Sequence, residues 1–122
     1  MRILIVDDSS ISRRLMRRML RHVSPLEVEE AEDGLQAVEL YTARRFDLVL
    51  MDLTMPVMNG YEACAAILQL DSDAHVAVIS ADVQPLARQR CIEAGAFTFI
   101  HKPFDRARIE ALIEHTQRRI AC

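Results

Sequence analysis

Thirteen consecutive residues constrain this chain more than any others: Leu48-Val49-Leu50-Met51-Asp52-Leu53-Thr54-Met55-Pro56-Val57-Met58-Asn59-Gly60. The unbroken apolar run Leu48–Met51 suits a strand buried on both faces, the kind found in parallel sheets. It ends at a carboxylate, Asp52, and Pro56 forbids it from continuing as a central strand. Asn59, followed three residues later by Glu62, reads as the cap of a new helix. A lone strand-ending Asp commonly caps a turn. An Asp at the carboxyl end of a buried parallel strand also stands where open α/β sheets keep their chemistry, so the rest of the chain must decide.

The same grammar repeats. Arg2-Ile3-Leu4-Ile5-Val6 is a second apolar strand and runs into Asp7-Asp8. Ser9 and Ser10 then offer caps to a helix with Ile11, Leu15, Met16, Met19, Leu20 and Val23 at helical spacing. Arg13, Arg14, Arg17, Arg18 and Arg21 occupy its other side, and Ser24-Pro25 ends it. Leu26–Ala31 alternates apolar and acidic residues, as an edge strand with one wet face does. Leu35 to Arg45 is expected to turn Leu35, Val38 and Tyr41 inward. A third helix over about Gly60 to Leu70 buries Ala63, Ile67 and Leu70 or their neighbours. Val76–Ile79 ends at Ser80-Ala81-Asp82. Pro85 opens a fourth helix that Gly95 closes. Phe97–Ile100 is a fifth strand, ending at His101-Lys102-Pro103, and Asp105 caps a last helix with Ile109, Leu112, Ile113 and Ile120 inward. Five such units, without repeats or low-complexity linkers, make one doubly wound α/β domain over residues 1–122.

Composition narrows the function. The chain has 122 residues and a net charge of −3, which argues against nucleic-acid binding by bulk electrostatics. No apolar run approaches the ~20 residues of a membrane span, so a cytoplasmic protein without membrane contact is expected. Cys64, Cys91 and Cys122 lack metal-type spacing; the first two read as small core side chains. His22, His75, His101 and His115 are scattered and read as surface or turn residues. Of the fifteen basic residues only one is a lysine, Lys102.

That lysine belongs to a set. In a parallel sheet the carboxyl ends of the strands share one rim, so Asp7, Asp8, Asp52, Ser80 and Lys102 converge there. Three clustered carboxylates repel, and a hard divalent cation such as Mg²⁺ relieves them. Cation, ammonium and hydroxyl together are parts for holding a phosphoryl group.

Asp7-Asp8, Asp52 with Met55-Pro56-Val57-Met58-Asn59-Gly60, Ser80-Ala81 and Lys102-Pro103 resemble, in that order, the motif set of the response-regulator receiver domain of two-component signalling. The resemblance runs from Arg2 to about Arg119. It implies a flavodoxin-like sheet of order 2-1-3-4-5 with five helices, an order described for chemotaxis receivers and not readable from periodicity. It implies that Asp52 is the phosphoacceptor, taking its phosphoryl group from a phosphohistidine on a sensor histidine kinase or a histidine phosphotransfer protein. Asp8, Asp52 and the backbone carbonyl of Thr54 would hold Mg²⁺, with Asp7 acting through a water. Lys102, ahead of a cis Pro103, would pair with the phosphoryl oxygens, and Ser80 and Phe99 would form the switch. Phe99 stands where Tyr is commonest, so coupling through packing is retained and coupling through a hydroxyl is not. Thr54 and Asp82 lie where the family tunes aspartyl-phosphate hydrolysis.

The chain is thus expected to be a phosphoacceptor signalling domain, not an enzyme, although it assists its own phosphorylation and dephosphorylation. It would act through the surface of the fourth helix, fifth strand and fifth helix on a downstream protein, as a monomer or a phosphorylation-dependent dimer. A stand-alone chemotaxis or phosphorelay receiver and the receiver of a longer regulator both fit. Arg13, Arg17 and Arg21 could meet acidic partner residues, although a solvated basic face is the commoner explanation. The rival from another class is a haloacid-dehalogenase-like phosphohydrolase. It is similar in using Asp, Mg²⁺, Ser or Thr and Lys, but places two acids differently from the adjacent Asp7-Asp8.

Overall fold

The computed structural model describes residues 1–21, 27–81, 84–103 and 105–121. Five βα units follow one another: β1 (Arg2–Val6), α1 (Ser10–Leu20), β2 (Glu27–Ala31), α2 (Gly34–Ala43), β3 (Leu48–Met51), α3 (Gly60–Leu70), β4 (Val76–Ser80), α4 (Pro85–Glu93), β5 (Thr98–His101) and α5 (Arg106–Ala121). All strand pairs are parallel, in the order β2-β1-β3-β4-β5. The expected doubly wound sheet and its order are both present.

The strands divide the core by parity, because successive side chains point to opposite faces. Leu4, Val6, Val49, Met51, Val78 and Phe99 face one layer with Ala37 and Tyr41 of α2, Ala63 and Ile67 of α3, and Cys91 of α4. Ile3, Ile5, Leu48, Leu50, Ala77, Ile79 and Ile100 face the other, with Met16 and Leu20 of α1 and Ile109, Leu112 and Ile113 of α5. The central strands β1, β3 and β4 are buried on both faces, which is why they read as continuous apolar runs. β2 lies at the edge, and its Glu27 and Glu30 are exposed, as its alternation suggests.

Two helix caps match their sequence signals: Ser9 accepts from the Ser12 amide at α1, and Asn59 with Glu62 closes a full capping box at α3. Asp33, in a stretch expected only to turn, also caps α2 by accepting from the Gln36 amide. Gly95 sits at φ +103° after α4, where a side chain is strained.

Inward and outward residues on the helices were read less well. Ile11 and Leu15 of α1, Leu35 of α2, Leu70 of α3 and Ile120 of α5 are exposed rather than inward. A helix resting on a twisted sheet buries a narrower stripe than its apolar residues could fill, and α1 reaches the sheet mainly through Met16 and Leu20. His22, Val23, Ser24-Pro25, Leu26, Asp82 and Cys122 lie outside the described residues. Cys64 and Cys91 are buried core side chains, as expected.

Candidate functional site

The polar residues at the carboxyl rim are tied to the sheet itself. Asp7, Asp52 and Lys102 each follow their strand by one residue, yet their amides still donate into the neighbouring strand. Asp7 N–H donates to the Ala31 carbonyl (3.1 Å), Asp52 N–H to Val6 (2.9 Å) and Lys102 N–H to Ser80 (2.8 Å). Their Cα positions are therefore as fixed as those of the core, although their side chains point beyond it.

Those side chains meet. One oxygen from each of Asp7, Asp8 and Asp52 lies within 4.8 Å of the others. Lys102 Nζ stands 3.1 Å from Asp7 Oδ2 and 3.8 Å from Asp52 Oδ1. Asp7 is buried and its Oδ1 also accepts the Ser9 amide at 2.9 Å, whereas Asp8 is exposed. Asp52 Oδ1 accepts the Leu53 amide at 2.9 Å. Burial pushes the Asp52 carboxyl up to about 6, with help from the charges of Asp7 and Asp8 and against the pull of Lys102 and the Leu53 amide. A carboxylate raised by burial, and further by two neighbouring acids, gains from a cation. Three hard oxygen donors in reach of one point suit a divalent ion that keeps several waters, so the residues fit Mg²⁺.

Ser80 is buried at the end of β4, and Lys102-Pro103 is a cis peptide. Phe99 is inward, only 8 % exposed, with His101 edge-on to it at 5.0 Å. Thr54 is exposed in the loop after Asp52. That loop closes on glycines: a Cβ on Gly60 would stand 2.2 Å from the Asp52 carbonyl oxygen, and one on Gly34 would stand 2.4 Å from that of Met58.

Two features escaped the sequence. Arg13 and Arg17 are not a free basic face: both pair with Glu30 of β2, and Arg13 Nη1 also donates to the Asp7 carbonyl at 2.6 Å. Helical periodicity puts these arginines on the polar side of α1 but cannot say that β2 waits there. At the opposite rim His75 is buried, not a surface residue. Its ring stacks on Phe97 at 3.9 Å and lies parallel to His115 at 5.5 Å. The three come from separate elements, so no local pattern joins them.

Known proteins point the same way. Residues 3–114 match the response regulator receiver domain. The chemotaxis protein CheY of Bacillus subtilis is 43% identical over 115 residues, covering 94% of this chain and 96% of that one. The transcriptional regulatory protein PrrA of Mycobacterium tuberculosis is 36% identical over 97% of this chain, which spans 50% of PrrA. Among solved structures, a chain of the CheX–CheY–BeF3–Mg²⁺ complex from Borrelia burgdorferi superposes with a TM-score of 0.86 at 32% identity, covering 93% of this chain and 87% of that one. With the 2-1-3-4-5 sheet and its acidic rim, these matches establish that the chain belongs to the response regulator receiver domain family and is of the CheY type.

Proposed function

We propose that residues 1–122 act as a phosphorylation switch in which Asp52 accepts a phosphoryl group from a phosphohistidine on a histidine kinase or phosphotransfer protein. The observation that carries this reading is the convergence of Asp7, Asp8 and Asp52 within 4.8 Å, with Lys102 3.8 Å from Asp52. An Asp52 carboxylate oxygen attacks phosphorus as the phosphorus–nitrogen bond breaks, and the histidine leaves as neutral imidazole once it holds a proton. Asp8, Asp52 and the Thr54 carbonyl would hold Mg²⁺, and Asp7, already engaged by Lys102 and Ser9, would act through a water. Mg²⁺ supplies charge neutralisation for the phosphoryl oxygens.

Lys102 reorients from Asp7 toward the added phosphoryl group, which carries nearly two negative charges at neutral pH. Ser80 moves toward the same group, and its loop follows. Phe99 lies against β4, in register with Val78, so its ring takes up space that the shifted loop leaves. The output surface is then α4, β5 and α5, where Leu86 and Ile92 are exposed. No hydroxyl at position 99 takes part.

The domain thereby assists its own phosphorylation and hydrolysis without turning over free substrates, and no helix among the described residues is long and apolar enough to cross a membrane. The CheY matches favour a stand-alone chemotaxis-type receiver; the PrrA match is the observation that favours service in a longer regulator. With a small-molecule phosphodonor and Mg²⁺, wild type is expected to gain one phosphoryl group by mass spectrometry and Asp52→Asn none. Labelling that persists in the variant contradicts the assignment.

A further inference from the structure

Asp7 is held at every polar atom. Its amide donates to Ala31 of β2, its carboxylate takes Ser9 N–H and the Lys102 ammonium, and its carbonyl oxygen takes Arg13 Nη1 at 2.6 Å. The last of these bonds is the unexpected one. The carbonyl belongs to the Asp7–Asp8 peptide, so whatever grips it sets the orientation of the plane from which the Asp8 side chain departs. Asp8 itself is exposed and sits at the start of a turn, where packing cannot fix it.

Arg13 is well placed to do that work. Its side chain is only 11 % exposed, and its fork is locked from the far side: Nε lies 2.8 Å from Glu30 Oε1 and Nη2 lies 4.0 Å from Glu32. Glu30 also takes Arg17, and although burial opposes it, the two guanidiniums hold its carboxyl below the usual range. A rigid planar fork reaches a carbonyl with one nitrogen and a carboxylate with another in a fixed geometry, which a flexible ammonium stem does not pre-organise. The chain of contacts runs from β2 through Glu30 and Arg13 to the peptide that carries Asp8.

We infer that Arg13, braced by Glu30, is a positioning residue that pre-sets the Asp7–Asp8 turn for cation binding. This rests on the reading of Asp7, Asp8 and Asp52 as the metal cluster. Arg13 touches neither the ion nor the phosphoryl group; it acts through one backbone carbonyl. Removing groups that orient metal ligands commonly weakens binding 10- to 100-fold, and a contact through one peptide belongs at the lower end.

Titration calorimetry with Mg²⁺, and electron paramagnetic resonance with Mn²⁺ as a second probe, give the affinities directly, without phosphorylation. Arg13→Met keeps the stem and loses the fork, and is expected to weaken both ions about 10-fold. Glu30→Gln, which leaves Arg13 in place but loosens its brace, should give a smaller loss. Arg17→Met removes a Glu30 partner that does not touch Asp7 and should leave affinity unchanged. In metal-free protein, ¹⁵N relaxation should report greater motion at Asp8 and Ser9 in Arg13→Met than in Arg17→Met. Equal affinities for wild type and Arg13→Met overturn the inference, as does an equal loss in Arg17→Met. Should Arg13→Met not fold, Arg13→Gln, too short to span Glu30 and the Asp7 carbonyl, decides by the same measurements: wild-type affinity there overturns the inference. If wild type itself takes up neither ion, the reading of the cluster fails first, and that failure is told apart by the unmutated protein alone.

Discussion

The two rims of the sheet handle charge in opposite ways. At the amino-end rim Asp47 and Asp71 each meet a partner that suits them. Asp47 accepts the Arg2 amide at 2.7 Å, and Asp71 accepts the Tyr41 hydroxyl at 2.6 Å. Asp71 also lies 3.8 Å from the Arg45 guanidinium. The Tyr41 hydrogen bond holds the Asp71 carboxyl below its usual range, and burial together with that same bond pushes the Tyr41 phenol up. At the carboxyl-end rim Asp7 and Asp52 share one ammonium with Asp8 close beside them, and Asp52 is driven up to about 6. The acids of one end find their donors within the chain; the clustered acids of the other are left to something that binds. A carboxyl raised by burial and by two neighbouring acids, in an open cluster, is where function is expected.

The most severe way to break this contrast is to move the Asp52 peptide. Gly60→Ala puts a Cβ 2.2 Å from the Asp52 carbonyl oxygen and 2.9 Å from Leu53 Cα, both backbone atoms that cannot step aside. A loss of about 3 kcal/mol is expected from overpacking of this kind, read by urea denaturation, with weaker Mg²⁺ uptake in whatever remains folded. An unaltered midpoint means that the loop yields freely and does not fix Asp52.

A subtler test uses acid, because the two rims titrate with opposite sign. Asp52, raised to about 6, favours the folded state as pH falls from 6 toward 4, since the folded chain then binds its proton before the unfolded chain does. His75 does the reverse. Burial first, then the nearby charges of Arg119 and His115, lower it to about 4, so between about 6.5 and 4 the unfolded chain takes up the proton and stability falls. Each contribution is about 2 kcal/mol after solvent screening, and in metal-free wild type they largely cancel. Without Mg²⁺, Asp52→Asn should therefore lose stability more steeply than wild type on acidification, and His75→Leu should lose less or gain. Parallel pH curves for all three proteins remove the contrast.

How much of this was open to reading from residues alone follows from range. Buried central strands declare themselves because both faces need apolar side chains, so Arg2–Val6, Leu48–Met51 and Val76–Ser80 were legible, and with them the rim where Asp7, Asp52 and Ser80 fall. Lys102 stood out as the one lysine. Periodicity, however, does not report how far a helix is rolled on its sheet, which is why Ile11, Leu15 and Leu35 were assigned inward and stand outward. Arg13 with Glu30, and His75 with Phe97 and His115, are contacts between elements that no local spacing encodes.

At the amino-end rim a single hydrogen bond is expected to matter only for stability. Tyr41→Phe deletes the hydroxyl that Asp71 accepts at 2.6 Å, at a ring that is itself 3 % exposed. A loss of about 1.5 kcal/mol is expected, because the bond reaches a charged acceptor, with no change in Mg²⁺ affinity or phosphorylation. A variant of unchanged stability but altered Mg²⁺ binding would mean that the two rims communicate and are not the separate regimes described here.

The smallest effect concerns strain, and it too separates the rims. Among the described residues Val57 is the one non-glycine at positive φ, +69°, and it lies in the loop between Asp52 and α3 with 77 % of its surface exposed. A β-branched side chain in the left-handed region costs about 1–2 kcal/mol, and exposure returns little in packing. The loop is held in that shape by its neighbours: Met58 N–H donates to the Pro56 carbonyl at 2.7 Å, and the Met58 carbonyl accepts Gly34 N–H at 3.1 Å. Val57→Gly removes the clash but frees the unfolded chain, an opposing term of about 0.4–1 kcal/mol. A net gain of about 0.5 kcal/mol is the expected balance, measurable as a raised denaturation midpoint, with Val57→Asn following because Asn tolerates this region better than Val. A loss of stability in both variants would show that Val57 makes a contact worth more than its strain, and that the acidic rim is not the strained one.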